Sequence, residues 1–241
     1  AAFDINENKV GKDLSEAIFA EPNNTAKFSD VPNLNVAVSP GKTLDGIGKF
    51  VKDIIKPVDD SDSVIDVLEA SGAEILVNLL PVGSDEAVKF YADCAIKAKV
   101  GFINCIPVFI ARDKEWYQKF ADNNVPLIGD DIKSQVGATI VHRALAQLFS
   151  DRGINLKRSY QLNVGGNMDF LNMLEEDRLQ TKRTSKTTSV TSVANNGKGM
   201  DEGTVRIGPS DYVEWLEDRK KAFIRLEGEA FGGAPLNIEL Q

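Results

Sequence analysis

The 241-residue chain has one histidine and two cysteines, and this scarcity excludes several classes of protein. A multi-histidine metal site cannot be built, and a serine–histidine–aspartate triad is possible only with His142 as its base. Cys94 and Cys105 make no disulfide framework, so a reducing, cytoplasmic location is expected. No apolar run reaches the roughly 18–20 residues of a membrane span, and the first residues predict no signal peptide.

Positive charge is also scarce, with 28 Lys and Arg against 36 Asp and Glu and a formal net charge of −8. Nucleic acids and anionic membranes are recognised by clustered positive charge, so neither is expected as a partner. Apolar residues make up 42% of the chain and charged residues 27%, as in ordinary globular proteins with a sizeable core. Because the chain has a single histidine, acid–base chemistry must come from lysine, aspartate, glutamate or tyrosine.

Short apolar runs alternate with amphipathic segments, a pattern typical of βαβ units and a largely parallel sheet. The predicted strands are 1–5, 33–39, 74–80, 100–105, 125–128 and 156–164. The predicted helices are 13–20, 41–55, 64–71, 113–123, 134–150, most of 168–193, and one that starts at Ser84 with its hydroxyl as the cap. Two last strands, 222–229 and 236–240, alternate as in an antiparallel or mixed sheet.

Ligands of parallel α/β sheets bind at the carboxyl ends of the strands, so the residues there are the first candidates for a site. Asp4 ends the first strand, where an acid holds the adenine ribose hydroxyls in dinucleotide-binding folds; an exposed acid without this role is the alternative. No G-x-G-x-x-G occurs in the sequence. The later strands end in polar or glycine-containing runs, which are further candidates for the site: 80–84, 104–107 and 163–167.

Two polar segments beside predicted helices are further candidates. Residues 129–135 place two carboxylates, a lysine, a hydroxyl and an amide before a helix, where backbone amides favour an anion. The alternative is that Asp131 or Ser134 only caps that helix. Residues 165–172 begin with paired glycines, which allow a backbone to approach a ligand closely. The alternative there is a tight turn with Asn167 or Asp169 as the cap.

Two lysines, Lys182 and Lys186, are spaced i, i+4 and therefore share one face of a predicted helix. Their charges repel unless an anion lies between them, so the pair predicts a phosphate or another oxyanion, with a solvated basic face as the alternative. The basic run at 218–221 has the same alternative. His142, in the middle of a predicted helix, is expected to be a surface or hydrogen-bonded residue and not a catalyst.

Taken together, these motifs resemble those of the myo-inositol-1-phosphate synthase family, in its actinobacterial branch. The motifs that carry the resemblance are Gly129-Asp-Asp-Ile-Lys-Ser-Gln-Val-Gly-Ala-Thr, Gln161-Leu-Asn-Val-Gly-Gly-Asn-Met-Asp-Phe-Leu-Asn-Met-Leu, Lys182-Arg-Thr-Ser-Lys, Ile207-Gly-Pro-Ser-Asp and Arg225-Leu-Glu-Gly. The resemblance covers essentially the whole chain, without the family's N-terminal glycine-rich turn and C-terminal portion.

The resemblance implies an α/β protein with two domains. Residues 1–130 would form a Rossmann-like parallel-sheet NAD domain that lacks its first βα unit. Residues 131–241 would form an α+β catalytic and tetramerisation domain with a mixed sheet, incomplete at its C-terminus. The implied protein is a cytoplasmic homotetramer that converts D-glucose 6-phosphate to 1D-myo-inositol 3-phosphate by oxidation at C5, enolisation, aldol closure and re-reduction. NAD is the implied cofactor, and a divalent or monovalent cation stays open.

The resemblance also implies a role for individual residues. Its catalytic residues are Lys182, Lys186, Lys220 and Asp131. Its cofactor-binding residues are Asp4, Asn24, Pro81, Val82, Asn104, Cys105, Ser134 and Asp169, and its substrate-binding residues are Asn163, Asn167, Lys182 and Lys186. Two other functions stay open, namely another NAD-dependent sugar-phosphate oxidoreductase that releases NADH, and a non-catalytic oligomerisation fragment.

Overall fold

The computed structural model describes residues 1–58, 63–132 and 136–241, without the side chains of 180–183 and 185. Packing divides the chain into two compact units. The first comprises Ala1–Ile132 and Asn167–Arg178, and the second comprises Lys133–Gly166 and Leu179–Gln241. The sequence predicted one boundary, after residue 130. In the structure residues 167–178 pack with the first unit, and nothing in the hydropathy pattern indicates this.

The first unit contains two parallel sheets. Strand β1 (Ala2–Asp4) pairs with β2 (Val38–Pro40), and β3 (Ile75–Asn78), β4 (Gly101–Asn104) and β5 (Leu127–Ile128) form a sheet in the order β3-β4-β5. A strand is found at each of the five places predicted in this region, and all five are shorter than predicted; β2 overlaps the predicted 33–39 only at its end. Because all pairs are parallel, the carboxyl ends of neighbouring strands lie at one edge of each sheet.

Four helices precede the second unit: α1 (Leu14–Ala17), α2 (Val64–Ser71), α3 (Asp85–Lys97) and α4 (Lys114–Asp122). Local capping explains two of their starts, since Ser63 accepts a hydrogen bond from the backbone N of Asp66, and Asp113 does the same for the first turn of α4. Helices α2, α3 and α4 pack with β4 around the stacked rings of Phe102 and Phe120, whose centroids are 6.0 Å apart.

The helix predicted over 41–55 is wrong. The segment folds as turns, in which Gly46 N donates to Thr43 O and Val51 N donates to Gly48 O. A Cβ at Gly48 would lie 2.7 Å from Asn172 Oδ1, so a larger residue there would have to displace this side chain. Glycines also disfavour a helix by about 1 kcal/mol each relative to alanine, and tertiary contacts decide the outcome here.

The second unit is built on one mixed sheet. Its elements are α5 (Ala138–Asp151), β6 (Asn155–Gly165), α7 (Gln180–Thr191), β7 (Val205–Tyr212), β8 (Lys220–Glu229) and β9 (Pro235–Leu240), while α6 (Met168–Asn172) belongs to the first unit. The strand order is β7-β6-β8-β9, with β6 and β7 parallel and the other pairs antiparallel, which confirms the predicted mixed sheet.

Helices α5 and α7 cover one face of this sheet. Ala146 and Phe149 of α5 and Val190 of α7 pack against Ile224 and Leu226 of β8. Strand β7 was not predicted, because Gly208 and Pro209 interrupt its alternation of apolar and polar residues. No helix in the described part of the chain is long and apolar enough to cross a membrane.

Candidate active site

A ladder of polar side chains links the three strand ends of the β3-β4-β5 sheet. Asn78 Nδ2 donates to Asn104 Oδ1 at 2.8 Å, and Asn104 Nδ2 donates to Asp130 Oδ1 at 2.8 Å. All three residues are buried, with 1% of Asn104 exposed. Parallel pairing of Asn78 with Asn104 brings these ends together, so the predicted cofactor residue Asn104 lies at the carboxyl edge of the sheet.

The two adjacent acids that follow β5 have different surroundings. The Asp130 carboxylate is buried and accepts hydrogen bonds from the backbone N atoms of residues 110, 111 and 112 at 3.0–3.1 Å. Asp131 is half-buried and has a positive φ of 74°, and its backbone N donates to Ile106 O. Helix α5 begins only at Ala138 with Gly137 as its N-cap, so the alternative that Asp131 caps it is wrong.

The predicted ribose acid, Asp4, lies at the end of β1 as expected. Its Oδ1 accepts a hydrogen bond from the backbone N of Asn6, and its Oδ2 forms an ion pair with Lys9 at 3.2 Å. The side chain is 30% exposed, so a ligand can reach it. A Cβ at Gly41 would collide with the Tyr91 hydroxyl beside Asp4 O, so the backbone near this strand end is closely packed. Asn24, also predicted to bind the cofactor, is exposed in the following loop.

The start of α3 differs from the prediction, because Ser84 does not cap the helix. Ser84 is fully buried and its hydroxyl makes no hydrogen bond to a residue that the structure describes, whereas the Asp45 carboxylate accepts from Glu86 N at 2.8 Å and Ala87 N at 3.0 Å. Asp45 therefore provides the cap from the loop that was predicted as a helix. Its charge and the burial of Asp85 both raise the pKa of the Asp85 carboxyl, with burial the larger cause.

Unused hydrogen-bonding atoms cluster around this helix start. Arg178 donates from Nη1 to Asp45 O at 2.7 Å, but its Nε and Nη2 are buried and have no partner among the described residues, as is the case for Asn172 Oδ1. Asn172 Nδ2 donates to the carbonyl of the predicted cofactor residue Val82 at 2.8 Å, and Pro81 next to it is exposed. Gly83 has a φ of 85°, and a Cβ there would lie 2.7 Å from Arg178 Nε.

These observations test whether the first unit fits a dinucleotide. A reachable carboxylate ends β1, and unsatisfied polar atoms lie beside the predicted contacts Pro81 and Val82, at the carboxyl end of β3. The residues present therefore fit the adenosine ribose and a further polar part of NAD. The glycine-rich turn that holds the pyrophosphate in such folds does not occur within the 241 residues.

Predicted substrate and catalytic residues of the second unit lie on β6, α7 and β8. Asn163 is buried, donates from Nδ2 to Gly208 O at 3.0 Å and accepts from Gln161 Nε2 at 3.1 Å. Lys220 begins β8 and is exposed, and Lys186 is half-buried on α7. The helix predicted around 182 and 186 is confirmed, so the two positions are one turn apart.

Strand β6 ends at Gly165, and close packing explains why the next residue, Gly166, is a glycine. A Cβ at Gly166 would lie 2.5 Å from both Val213 O and Glu217 N, so only glycine fits under the turn at 213–217. Asn167, which follows, accepts a hydrogen bond from Phe170 N at 3.1 Å and caps α6, as the alternative interpretation predicted.

His142 is not a surface residue, because the ring is completely buried between α5 and β6. Its Nε2 lies 2.6 Å from Ser159 Oγ, which donates to Arg225 O at 2.7 Å. Since that hydroxyl proton is used, Nε2 carries the imidazole proton. Within the described part of the chain, Nδ1 has no hydrogen-bond partner. Burial lowers the pKa of His142 to about 4, partly opposed by Gln161. The predicted hydrogen-bonded role is confirmed.

The predicted site residues are divided between the two units. Asp4, Val82, Asn104, Cys105, Asp131, Asn167 and Asp169 lie in the first unit, and Asn163, Lys186 and Lys220 lie in the second. Ser134 and the side chain of Lys182 lie outside the described residues. The predicted grouping of the lysines with Asn167 and Asp131 around one substrate stays a prediction. Sequence reasoning missed the half-buried residues Asp45 and Arg178 and the buried Gln161, because no local motif distinguishes them from surface residues.

The sequence is similar to known inositol phosphate synthases along almost its whole length. A sequence model of the family described as myo-inositol-1-phosphate synthase matches residues 137–241. The chain is 59% identical over 244 residues to the inositol-3-phosphate synthase of Mycolicibacterium smegmatis, covering 99% of this chain and 67% of that protein. It is 58% identical over 240 residues to the Mycobacterium tuberculosis inositol-3-phosphate synthase, covering 99% and 65%.

Solved structures share the fold. The crystal structure of Ari2 has a TM-score of 0.75 at 36% identity, covering 100% of this chain and 64% of that chain. The inositol-3-phosphate synthase of Caenorhabditis elegans has a TM-score of 0.74 at 16% identity, covering 100% and 54%, which is a likeness of fold. The predicted α/β class, a Rossmann-like parallel sheet with a mixed-sheet second part, is confirmed. The chain spans about two thirds of the length of the curated relatives it matches.

Proposed function

Because the chain belongs to the myo-inositol-1-phosphate synthase family, we propose that the natural protein that carries it converts D-glucose 6-phosphate to 1D-myo-inositol 3-phosphate. The observation that carries the proposal is the 59% identity to an inositol-3-phosphate synthase across 99% of this chain. The reaction is an isomerisation, since the hydride removed from C5 is returned after the ring has closed.

The first unit is proposed to hold NAD, which accepts that hydride and gives it back within one turnover. Asp4, at the end of β1, accepts hydrogen bonds from the adenosine ribose hydroxyls. Asn24, Pro81, Val82, Asn104, Cys105, Ser134 and Asp169 are proposed as further contacts. Of these, Asn104 is rigidly held by the polar ladder, so the protein positions this part of the cofactor site before the cofactor binds.

The lysines are proposed to stabilise charge on the substrate. Loss of a proton from C6 and attack of that carbon on the C1 aldehyde place negative charge on two oxygens in turn. Lys182, Lys186 and Lys220 are ammonium donors suited to these oxygens and to the phosphate, and Asp131 is proposed as the group that takes and returns protons. Asn163 and Asn167 are proposed to orient the sugar phosphate. Lysines and carboxylates suffice for this chemistry in a chain whose single histidine is buried.

Assembly as a cytoplasmic homotetramer is proposed from the family resemblance. The sheet of the second unit and the turn beside it offer a surface for such a contact, since Tyr160 and Phe223 on the strands are 37% and 38% exposed and Trp215 in the turn is 71% exposed. Light scattering on the purified natural protein measures the mass directly. A monomeric mass at micromolar concentration would rule out the assembly.

The activity is tested by incubating the natural protein with glucose 6-phosphate and NAD and measuring inositol phosphate and NADH together. We expect inositol phosphate to accumulate without net NADH. Lys186→Ala should lower turnover by a factor of about 100–1,000, the usual cost of removing one preorganised donor to a developing oxyanion. Lys198→Ala, an exposed lysine beyond α7, is the matched control and should keep wild-type turnover.

Each other outcome identifies a different function. NADH that accumulates in proportion to the sugar phosphate consumed indicates a simple oxidoreductase. Absence of NAD binding together with absence of product indicates a non-catalytic fragment. Full activity in Lys186→Ala would leave the family assignment intact but would contradict the role given to this lysine.

A further inference from the structure

Of the two adjacent acids, Asp130 is buried and Asp131 is half-buried. Asp130 is 6% exposed, and its two oxygens accept four hydrogen bonds. The donors are the backbone N atoms of Ile110, Ala111 and Arg112 and the Nδ2 of Asn104. A carboxylate with four donors has its acceptor capacity filled by the protein itself, so Asp130 has little capacity left for a ligand.

The segment that Asp130 holds is the connection that follows β4. Residues 105–112 contain no helix or strand, and their backbone depends on side-chain acceptors. Asn104 Nδ2 also donates to Val108 O at 2.7 Å, and Asn104 Oδ1 accepts from Ile106 N at 3.4 Å. Asp131 N donates to Ile106 O at 3.2 Å, so the acid at 131 is tied to the same segment.

The hydrogen bonds of the ladder run in one direction and end on Asp130. Leu80 N donates to Asn78 Oδ1 at 3.1 Å, Asn78 donates to Asn104, and Asn104 donates to Asp130. No Lys or Arg within the described part of the chain forms an ion pair with Asp130, so N–H dipoles alone stabilise its charge. Hydrogen bonds that end on an ionised acceptor are stronger than neutral ones and polarise each other.

An amide could not replace this carboxylate. Asparagine at 130 would keep one oxygen but would turn an NH2 group toward backbone N–H donors of 110–112, leaving buried donors unpaired. Gly129 adds a steric constraint, because a Cβ there would lie 3.0 Å from Asn104 Cβ. The position of 105–112 therefore depends on the negative charge at 130 and on the close approach of residue 129 to β4.

We propose that Asp130 is a positioning residue of the cofactor site, which sets the backbone of 105–112 and thereby the strand-end groups that contact a dinucleotide. The inference rests on the proposed use of NAD by the first unit. It assigns the two neighbouring acids different tasks: Asp130 acts through Asn104 and the segment 105–112, and Asp131 stays available to the substrate.

The test compares Asp130→Asn with Asp13→Asn in the natural protein. Asp13 is the matched control, because its carboxylate also accepts from three backbone N atoms, of Ser15, Leu34 and Val36, and from one side chain. The measurements are the Kd for NAD by fluorescence titration, the midpoint of thermal unfolding, and hydrogen exchange of the amides at 110–112. We expect both variants to lower the midpoint, and only Asp130→Asn to raise the NAD Kd, by at least tenfold, with faster exchange at 110–112.

Two results would overturn the inference while leaving the proposed function intact. One is an NAD Kd within twofold of wild type in folded Asp130→Asn, and the other is an equal rise in Asp13→Asn. If Asp130→Asn does not fold, Asn104→Ala is used, which removes one of the four donors to Asp130 together with the hydrogen bonds of Asn104 to Val108 and Ile106. It should raise the Kd at least threefold and also speed hydrogen exchange at 110–112; an unchanged Kd, or unchanged exchange at 110–112, contradicts the inference. A wild-type protein that does not bind NAD would instead overturn the proposed function and this inference with it.

Discussion

Carboxylates of the first unit differ in how many hydrogen bonds they already accept, and this decides what each can bind. Asp4 accepts one backbone hydrogen bond and has one lysine partner at a partly open strand end. Asp130 accepts four hydrogen bonds in a buried position. Only the first kind can exchange an existing partner for a ligand hydroxyl at small cost, because the second would leave several buried donors unpaired.

Asp4→Ala should weaken NAD binding and leave turnover at saturating NAD nearly unchanged, because a ribose contact is made equally in the ground state and the transition state. A hydrogen bond to a charged group is typically worth about 1.5–3 kcal/mol, so we expect the Kd to rise roughly 10–150-fold. Asp30→Ala is the control, since Asp30 is an exposed acid that also pairs with a lysine, Lys27, at 2.6 Å. An unchanged Kd in Asp4→Ala would contradict the ribose role.

The buried ring of His142 should make stability depend on pH. Its folded pKa of about 4 lies below the ordinary value of 6.5, so between these values the unfolded chain binds more protons than the folded one. The contribution of neutral His142 is therefore fully present above pH 6.5 and is lost as the pH falls toward 4. Its size is on the order of 3 kcal/mol.

Urea unfolding of wild type and His142→Gln at several pH values between 4 and 7.5 measures this effect. The difference in unfolding free energy between the two proteins should grow with pH up to about 6.5 and then level off. As the chain has a single histidine, its NMR titration gives the folded pKa without overlap. A pKa near 6.5 in the folded protein would contradict the prediction.

Helix α3 shows how an element can take its cap from a distant segment. Ser84 occupies the N-cap position, yet no described residue hydrogen-bonds to its hydroxyl. The Asp45 carboxylate from the 41–55 loop accepts from two backbone N–H groups of the first turn. Glu175 fixes the same loop by accepting from Lys49 N at 2.7 Å. The loop and the start of α3 therefore stabilise each other.

Replacing Asp45 and Ser84 one at a time shows which of the two side chains caps α3. Asp45→Ala should lower the free energy of unfolding by about 1–2 kcal/mol, the usual cost of removing a helix cap. Ser84→Ala removes a buried hydroxyl that has no partner among the described residues, so it should not lower the free energy of unfolding. Chemical denaturation of both variants measures the pair. A larger loss in Ser84→Ala than in Asp45→Ala would show that the serine is the cap.

On the scale of the whole molecule, each unit has its own hydrophobic core. Phe102 is 1% exposed in the core around β4, and Leu226 is completely buried in the core around β8. The chain crosses between the units more than once, since 167–178 packs with the first unit and 179–241 with the second. Stability can therefore differ between the two units, as sub-global opening does in other proteins.

Truncating a core side chain should destabilise mainly the unit that contains it. Phe102→Ala and Leu226→Ala should each cost about 2–5 kcal/mol, because both leave a cavity in a packed interior. Hydrogen exchange followed by mass spectrometry should show faster exchange in β3 and β4 for the first variant and in β6 and β8 for the second. Equal acceleration in all four strands for both variants would show a single cooperative unit instead.

The sequence by itself determined the local elements and the class of fold. Ser63 and Gly72 bound α2, Asp113 starts α4, and short apolar runs between glycine and proline mark the parallel strands, because these signals act within a few residues of the chain. That β3 would be buried was wrong, since Ile75 is 57% exposed and Val77 49%. The strand-end candidates Asp4, Asn104 and Asn163 followed from the same patterning and the family motifs, as did the helix that carries positions 182 and 186.

Only the tertiary structure decided which polar groups meet. The cap from Asp45, the unpartnered guanidinium atoms of Arg178, the inward direction of Asp130 and the burial of His142 all depend on contacts between residues far apart in the sequence. Hydropathy periods encode which face of an element is buried but not which distant donor reaches an acceptor there. The packing of 167–178 with the first unit was likewise decided by tertiary structure, because it depends on close packing of specific surfaces and not on local propensity.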